Sequence, residues 1–393
     1  MVADRKWVEK NLGFDPISTP PPANTFSVNR VAKAAVKPST KASPEDFQRE
    51  IIDFDSEGPT GQSFLAFSTA TGLSRFTDIP WPAGLAPKTG PKPKGTGKGP
   101  LPKADVLLVT WTVDEGHALS RVLTPGKDSR NDYVPYTHNF AKIAKKMRKG
   151  CPALQAKRLG AYWTTKVGGK TVVIFKSDSH MSQDTKVAPK VGQTLPNEDV
   201  WRQIITEVNP SLVITTGTGG GIGKLCEVGD VVVSPIVTFD CQSWLKKEPF
   251  KHASFKDGAV KTKNFALAKK LFKANAGQLP PDNKRPPRIL NAKNRAAGVL
   301  TTDFFGFDTS NNRYHLQGLG GLSEMGDAIL GLLYSRKDPP KASWVAVRNV
   351  SDPQIKAEGT PTQQAHAAAQ IYKTFGRWSS VCSAIVCWAL ITA

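Results

Sequence analysis

Cysteine is scarce and scattered. The chain has five among 393 residues (Cys151, Cys226, Cys241, Cys382 and Cys387), an odd number with no C-x-x-C pair. That spacing excludes a disulfide framework and offers no ligand set for structural zinc. Long apolar runs are missing too. Residues 381–393 form the longest late stretch and are too few to cross a bilayer. The opening MVADRKWVEKNLGF carries no apolar run of signal-peptide type. A soluble protein of a reducing, cytoplasmic compartment is expected, with no membrane partner. Acidic residues are in deficit, 33 against 53 basic ones, for a net charge of +20. That balance favours anionic partners. The hydrophobic share is low, 39%, and prolines number 30, so part of the chain lies outside any core. Internal repeats are absent.

What is present concentrates in residues 212–236, LVITTGTGGGIGKLCEVGDVVVSPI. An apolar strand at 212–215 leads into a glycine-rich stretch, read here as a turn. A Val-Gly-Asp turn and a second apolar strand at 231–237 follow. Glycine lets backbone approach a ligand without a Cβ in the way, and α/β proteins place ligands at the carboxyl ends of their strands. Residues 104–111 (ADVLLVTW) and 171–175 (TVVIF) read as strands buried on both faces. Short strands are expected at 299–301 and 344–350. Helical spacing appears at 197–207, 266–276 and 322–334, and over 362–392 with a break near Gly376. Strands alternating with helices predict an α/β fold with a mixed, mostly parallel central sheet flanked by helices.

Residues 1–103 have a different texture. STPPPAN at 18–24 and APKTGPKPKGTGKGPLPK at 86–103 are rich in proline, lysine or glycine. The second piece predicts an extended, solvated, basic linker. One short helix is expected near 44–54. The first 103 residues therefore read as an appendage, and 104–393 as the catalytic domain.

The predicted strands end in polar residues: Thr112-Val113-Asp114-Glu115, Thr216-Gly217-Thr218-Gly219-Gly220, and Ser351-Asp352. Two carboxyls, Glu115 and Asp352, can meet across a crevice there. A carboxylic acid that protonates the leaving group and a carboxylate that activates water form a pair suited to cleaving a glycosidic bond. Taken alone, Ser-Asp-Pro is also a good helix start, and Glu115 a good residue for a helix's first turn.

In these stretches the chain resembles the nucleoside phosphorylase/nucleosidase superfamily. PSLVITTGTGGGIGKLCEVGDVVVSPIV resembles its central glycine motif. Ser323-Glu324-Met325-Gly326-Asp327-Ala328 resembles its E-M-E-A ribose-binding helix, and WVAVRNVSD at 344–352 its V-x-V-R-x-[IV]-S-D strand. The resemblance implies the family fold and assigns roles. Asp352 would donate a proton to purine N7, with Ser351 orienting it. Glu115, or its neighbour Asp114, would position water. Thr218 and Gly219 would contact ribose and base, Phe305 would pack on the purine, and Met325 would lie beneath the ribose. It further implies a homo-oligomer and a reaction needing no metal or organic cofactor.

Two departures stand out. Gly326 falls where the family carries its ribose carboxylate, leaving Glu324 or Asp327 to take the hydroxyls. The Gly-Asp-Pro and Arg pattern for phosphate is also absent after the first strand, although Arg121 lies nearby. Hydrolysis of a purine nucleoside or nucleotide is the leading expectation. A phosphate-dependent phosphorylase is the alternative, and a nucleotide-binding sensor or nucleotide-depleting effector domain another. Lysine and arginine crowd residues 244–295, which reads either as a solvated surface insertion or as a basic rim for substrate phosphates. Tyr133, Tyr136, His138 and His180 are further pocket candidates, each more readily read as ordinary packing or surface placement.

Overall fold

Apolar runs flanked by polar turns become strands, and the segments with helical spacing between them become the helices that cover those strands. The computed structural model describes residues 79–393 apart from 95–96, 150, 180, 182–192, 223–225, 275–284, 305–314 and 353–360. The expected helix at 44–54 lies outside the described residues.

In chain order the elements are β1 (Lys88–Thr89), β2 (Val106–Thr110), α1 (Val113–Leu123), β3 (Val134–Tyr136), α2 (Phe140–Ala144), α3 (Pro152–Ala156), β4 (Gly160–Val167) and β5 (Lys170–Ser177). Next come α4 (Pro196–Val208), β6 (Leu212–Gly221), β7 (Val231–Ser234), β8 (Ile236–Asp240), β9 (Ser254–Lys256), α5 (Phe265–Ala274) and β10 (Ile289–Asn291). The last are β11 (Val299–Thr302), β12 (Leu322–Glu324), α6 (Asp327–Tyr334), β13 (Ser343–Asp352) and α7 (Pro361–Ile391).

These strands join in one mixed sheet. Its centre is parallel: β5, β2, β6 and β13 lie side by side in that order. Antiparallel partners occupy much of the periphery, with β4 on β5, β1 and β3 on β4, and β9 on β8. Every residue of β2, β7 and β8 is buried, as strands covered on both faces require. Helix α7, packed with α1 and α5, covers β6 and β13; α4 and α6 pack together, α4 on β2 and α6 on β8, β9 and β11.

Several elements differ from the sequence reading, each for a local reason. The strand expected at 231–237 is two strands parted at Pro235. β7 pairs with β10 and β13, whereas β8 pairs with β9 and β11. Proline has no N–H to give a ladder, so it falls where the partners change. The helix expected at 322–334 begins as strand β12, which pairs in parallel with β11 and antiparallel with β6. Only past Gly326 does α6 start. Helix α7 runs through Gly376 without interruption.

The basic piece at 86–103 is docked through its backbone and Leu101, while Lys88, Lys92, Lys94, Lys98 and Lys103 stay exposed as expected. Its β1 pairs antiparallel with β4. Gly90 N–H donates to the Thr164 carbonyl at 2.9 Å, and Trp163 Nε1 donates to the Gly90 carbonyl at 3.1 Å. Leu101 is buried, and its N–H donates to Glu207 at 2.7 Å. Further upstream, Trp81 packs on Trp388 with ring centroids 4.9 Å apart, and Trp388 Nε1 donates to the Leu85 carbonyl at 2.7 Å. Buried indoles need an acceptor for their N–H. A proline-rich backbone has carbonyls to spare for that purpose.

Candidate functional site

The glycine-rich stretch is strand, not turn. β6 continues to Gly221, with β13 paired along one edge as far as Gly220, its register shifting between Val350 and Asp352, and β12 joining the other edge at Gly220 and Gly221. Glycine is poor strand material, and inside a strand it marks close approach of another group. Here the approaching groups are identifiable. A Cβ on Gly217 would strike the Glu115 carboxylate and come within 2.7 Å of Arg348 Nη1, and Gly217 also has φ +153°. A Cβ on Gly219 would strike the Leu322 side chain and the Ser323 carbonyl.

Glu115 reaches this stretch from α1. Thr112 caps the helix, and Glu115 completes a reciprocal capping box with it. Its Oε2 accepts from Thr110 Oγ1 at 2.9 Å, Trp111 N–H at 3.1 Å and Thr112 N–H at 2.9 Å. Its Oε1 accepts from Thr218 N–H at 2.7 Å and Thr218 Oγ1 at 2.8 Å. Burial works to raise the Glu115 pKa. Arg348 and the Thr218 and Thr112 donors outweigh burial and hold it below the ordinary carboxylate value. Glu115 is therefore both the helix-opening residue and a buried carboxylate on the glycine stretch. Asp114, its neighbour, is also buried.

Asp352 stands at the end of β13, beside Gly220. It and Ser351 belong to the strand and are both buried. Ser351 Oγ lies 2.7 Å from Asp352 Oδ1 and 3.3 Å from the Gly219 carbonyl. A hydroxyl has one proton for these two acceptors, so a protonated Asp352 can donate to Ser351 while Ser351 donates to Gly219. Burial pushes the Asp352 carboxyl up to about 7, against the single opposing hydrogen bond from Ser351. Glu115 and Asp352 thus meet one stretch of β6, at Thr218 and beside Gly220, with burial outweighed at the first and raising the carboxyl at the second.

Glu324 and Asp327 lie behind this stretch, and both are turned onto Arg348. The guanidinium grips Asp327 with two bonds, Nε to Oδ2 at 2.8 Å and Nη2 to Oδ1 at 2.6 Å. Nη2 is also 3.1 Å from Glu324 Oε2, and Nη1 is 4.0 Å from Glu115 Oε1. The Trp111 ring lies under the same guanidinium, 4.5 Å from its central carbon. Glu324 accepts further from Thr301 Oγ1, from Gly326 N–H at 2.6 Å and from Asp327 N–H at 3.0 Å. Burial and the Asp327 charge raise the Glu324 carboxyl to about 7, with Arg348 working the other way. For Arg348, burial alone would lower the pKa; Asp327, Glu324 and Glu115 reverse that and keep it charged. Three carboxyl groups therefore share one buried guanidinium.

Sequence reasoning missed Arg348 as a site residue, along with Trp111 and Thr301. The signal for Arg348 was there, since a lone cation inside the apolar run WVAVRNV needs buried counter-charges. Gly326 leaves no side chain at the position where a ribose carboxylate was expected. A Cβ there would meet Trp111 at 3.2 Å. Met325 is half-buried beside it. Phe305 and His180 lie outside the described residues. Tyr136 and His138 both bond to Glu207, at 2.6 and 2.7 Å, and the Tyr133 hydroxyl lies 3.0 Å from Thr124 Oγ1. Of the expected basic rim, Lys261 lines a cavity with Val106, Leu212 and Ser343, at the amino ends of the central strands. Asp352 is at their other end. Among the described residues no group of His, Cys, Asp and Glu is placed to hold a metal ion, and no helix is long and apolar enough to cross a membrane.

No family model matches the chain, and neither does any curated protein. Among solved structures it is similar to the 5'-methylthioadenosine/S-adenosylhomocysteine nucleosidase of Neisseria meningitidis in complex with methylthio-immucillin-A. That match has 15% identity and a TM-score of 0.44, and covers 73% of this chain and 99% of that one. It is also similar to the futalosine hydrolase of Helicobacter pylori strain 26695, at 12% identity and a TM-score of 0.43, over 72% of this chain and 96% of that one. The corresponding nucleosidase of S. pneumoniae with the transition-state inhibitor MT-ImmA matches at 14% identity and a TM-score of 0.40, over 73% and 98%.

Proposed function

We propose that the protein hydrolyses the N-glycosidic bond of a purine nucleoside or nucleotide. The observation that carries this reading is that two buried carboxyls in contrasting surroundings, Glu115 with five donors and Asp352 beside a serine hydroxyl, meet one stretch of β6. Environments that push two carboxyl pKa values apart supply an acid and a base at one pH. Asp352, holding its proton up to about pH 7, gives it to the base as the C–N bond breaks, so the purine leaves neutral. The sugar carbon gains positive charge, which the anionic Glu115 counters. Water then forms the new C–O bond.

Glu115 already accepts five hydrogen bonds, so it reaches water through a neighbour. The Thr218 hydroxyl donates to Glu115 and keeps lone pairs that can accept from the attacking water. The water's proton passes along this bridge to Glu115, and exchange with solvent then removes it from Glu115 and returns a proton to Asp352. Thr218 and Gly219 form the floor beneath sugar and base, and Ser351 orients the acid. A second reading, a nucleotide-binding module without turnover, draws support from the commitment of Glu324 and Asp327 to Arg348, which diverts both from sugar hydroxyls.

Incubation of the protein with adenosine, AMP, ATP, methylthioadenosine and inosine, each with and without phosphate, tests these readings. Release of free base without phosphate is the expected result. Strict dependence on phosphate would make the protein a phosphorylase, and tight binding with no release would favour the module without turnover.

A further inference from the structure

The amino ends of the central strands carry a second feature, separate from the carboxyl-end site. Two adjoining cavities share residues 257–260 as their common wall. The first, of about 250 Å³, is walled by Val106, Leu212, Trp344, Val345 and Leu390, with Lys170 and Lys261 at its lining. The second, of about 490 Å³, is flanked by Lys256 and Lys293. Four lysines thus surround one short loop. Among the described residues Asp257 is the one carboxylate lining either cavity, and its Oδ2 accepts the Trp344 N–H.

The lysines are poorly matched with negative charge. Lys256, Lys261 and Lys293 are exposed and form no ion pair among the described residues. Lys170 spends its ammonium on the oxygens of Ile391 at 2.7 Å and Ala393 at 3.4 Å. Burial lowers the Lys170 pKa, the Lys261 charge lowers it further, and Asp105 opposes both. An anion at this loop would relieve that repulsion. The loop also offers donors, because the N–H groups of Gly258, Ala259 and Val260 have no acceptor among the described residues. Lysines around exposed backbone N–H groups are suited to phosphate oxygens. An apolar slot walled by an indole is suited to a flat ring.

We propose that the two cavities form one ligand site for a small phosphate ester bearing a flat apolar group. The ring enters beside Trp344, and the phosphates lie across residues 258–260 between Lys256, Lys261 and Lys293. The site is distinct from the carboxyl-end site. Ser343 lines the first cavity and Asp352 ends the same strand, nine residues on, which is roughly 30 Å of extended chain.

The test is isothermal titration calorimetry on the full chain, with ATP, AMP, adenosine and inorganic tripolyphosphate as probes. ATP should bind more tightly than adenosine, and more tightly than tripolyphosphate, because only ATP uses both cavities. Reversing two charges with Lys256→Glu and Lys293→Glu should weaken ATP by about tenfold or more. Filling the slot from the exposed Ser343, which lines the first cavity and not the second, as Ser343→Trp, should weaken ATP and leave tripolyphosphate unchanged. Neither variant should alter base release from adenosine, and Asp352→Asn should retain the lysine-dependent binding. ATP binding that is the same in wild type and in both variants overturns the proposal, as does tripolyphosphate binding as tight as ATP. Absence of base release with lysine-dependent ATP binding intact would count against the hydrolase reading alone.

Discussion

Glu115 and Asp352 are both buried and both held against the same few residues of β6, yet their surroundings are opposite. Glu115 has five donors and a nearby guanidinium. Among the described residues Asp352 has a serine hydroxyl as its hydrogen-bond partner. Burial penalises the charge on each. Only at Glu115 is the penalty overcome, so burial alone does not decide a carboxyl's state; the count of donors delivered to it does. β6 accomplishes this by giving its Thr218 N–H and hydroxyl to one acid and leaving the other with little. The contrast also fixes opposite pH signatures. Asp352 keeps a proton in the folded protein that the unfolded chain would lose, so its ionisation opposes folding as pH rises from about 4 to about 7. Glu115 does the reverse: it supports the fold above the ordinary carboxylate range, and that support is lost as pH falls through its depressed pKa.

The largest expected break in this contrast is Asp352→Asn. It keeps the shape and removes the acid, and base release should fall by roughly 10²–10⁴-fold, the usual worth of general acid catalysis. Unchanged turnover in a free-base assay would refute the proton-donor role. Next is Arg348→Met, which leaves the carboxyls around it without their cation. A loss of about 3–5 kcal/mol is expected from urea unfolding at pH 7, shrinking as the solution is acidified. A loss that is independent of pH would mean that packing, not charge, is what Arg348 supplies. Gly217→Ala should cost about 1–3 kcal/mol, because the new methyl group meets the Glu115 carboxylate. A neutral result would show that Glu115 can move away freely. The smallest effect concerns pH. In thermal melts Asp352→Asn should gain on the wild type as pH rises from about 4 to about 7 and hold that gain above. Parallel curves would place the Asp352 pKa at its ordinary value and erase its difference from Glu115.

The apolar strands were legible because burial on both faces leaves an unmistakable run, as in VLLVT of β2 and TVVIF of β5. The polar strand ends were legible too, since Glu115, Thr218 and Ser351-Asp352 follow those runs directly. What was not legible depends on partners distant in sequence. Residues 216–221 read as a turn because glycine ordinarily breaks strands. Pairing with β13 and β12, and the need to admit Glu115 and Leu322, made glycine the residue that fits. Arg348 could not be assigned its three acids from sequence, because they come from α1, β12 and α6. The short β12 hid inside a helical pattern for the same reason: only its two neighbouring strands make it a strand.

The docking of residues 79–103 bears on where this chain can be cut. Removing everything before Ala104, the boundary that composition alone would choose, takes away the carbonyl acceptors of Trp163 and Trp388, the ring that packs on Trp388, and the strand along β4. Two indole N–H groups would lose their acceptors, and β4 would gain an open edge of the kind that invites self-association. A shortened protein beginning just before Ile79 keeps all of these contacts. The same reasoning tells against a tag fused directly at Lys103 or Ala104, where it would compete for the groove that the native segment fills.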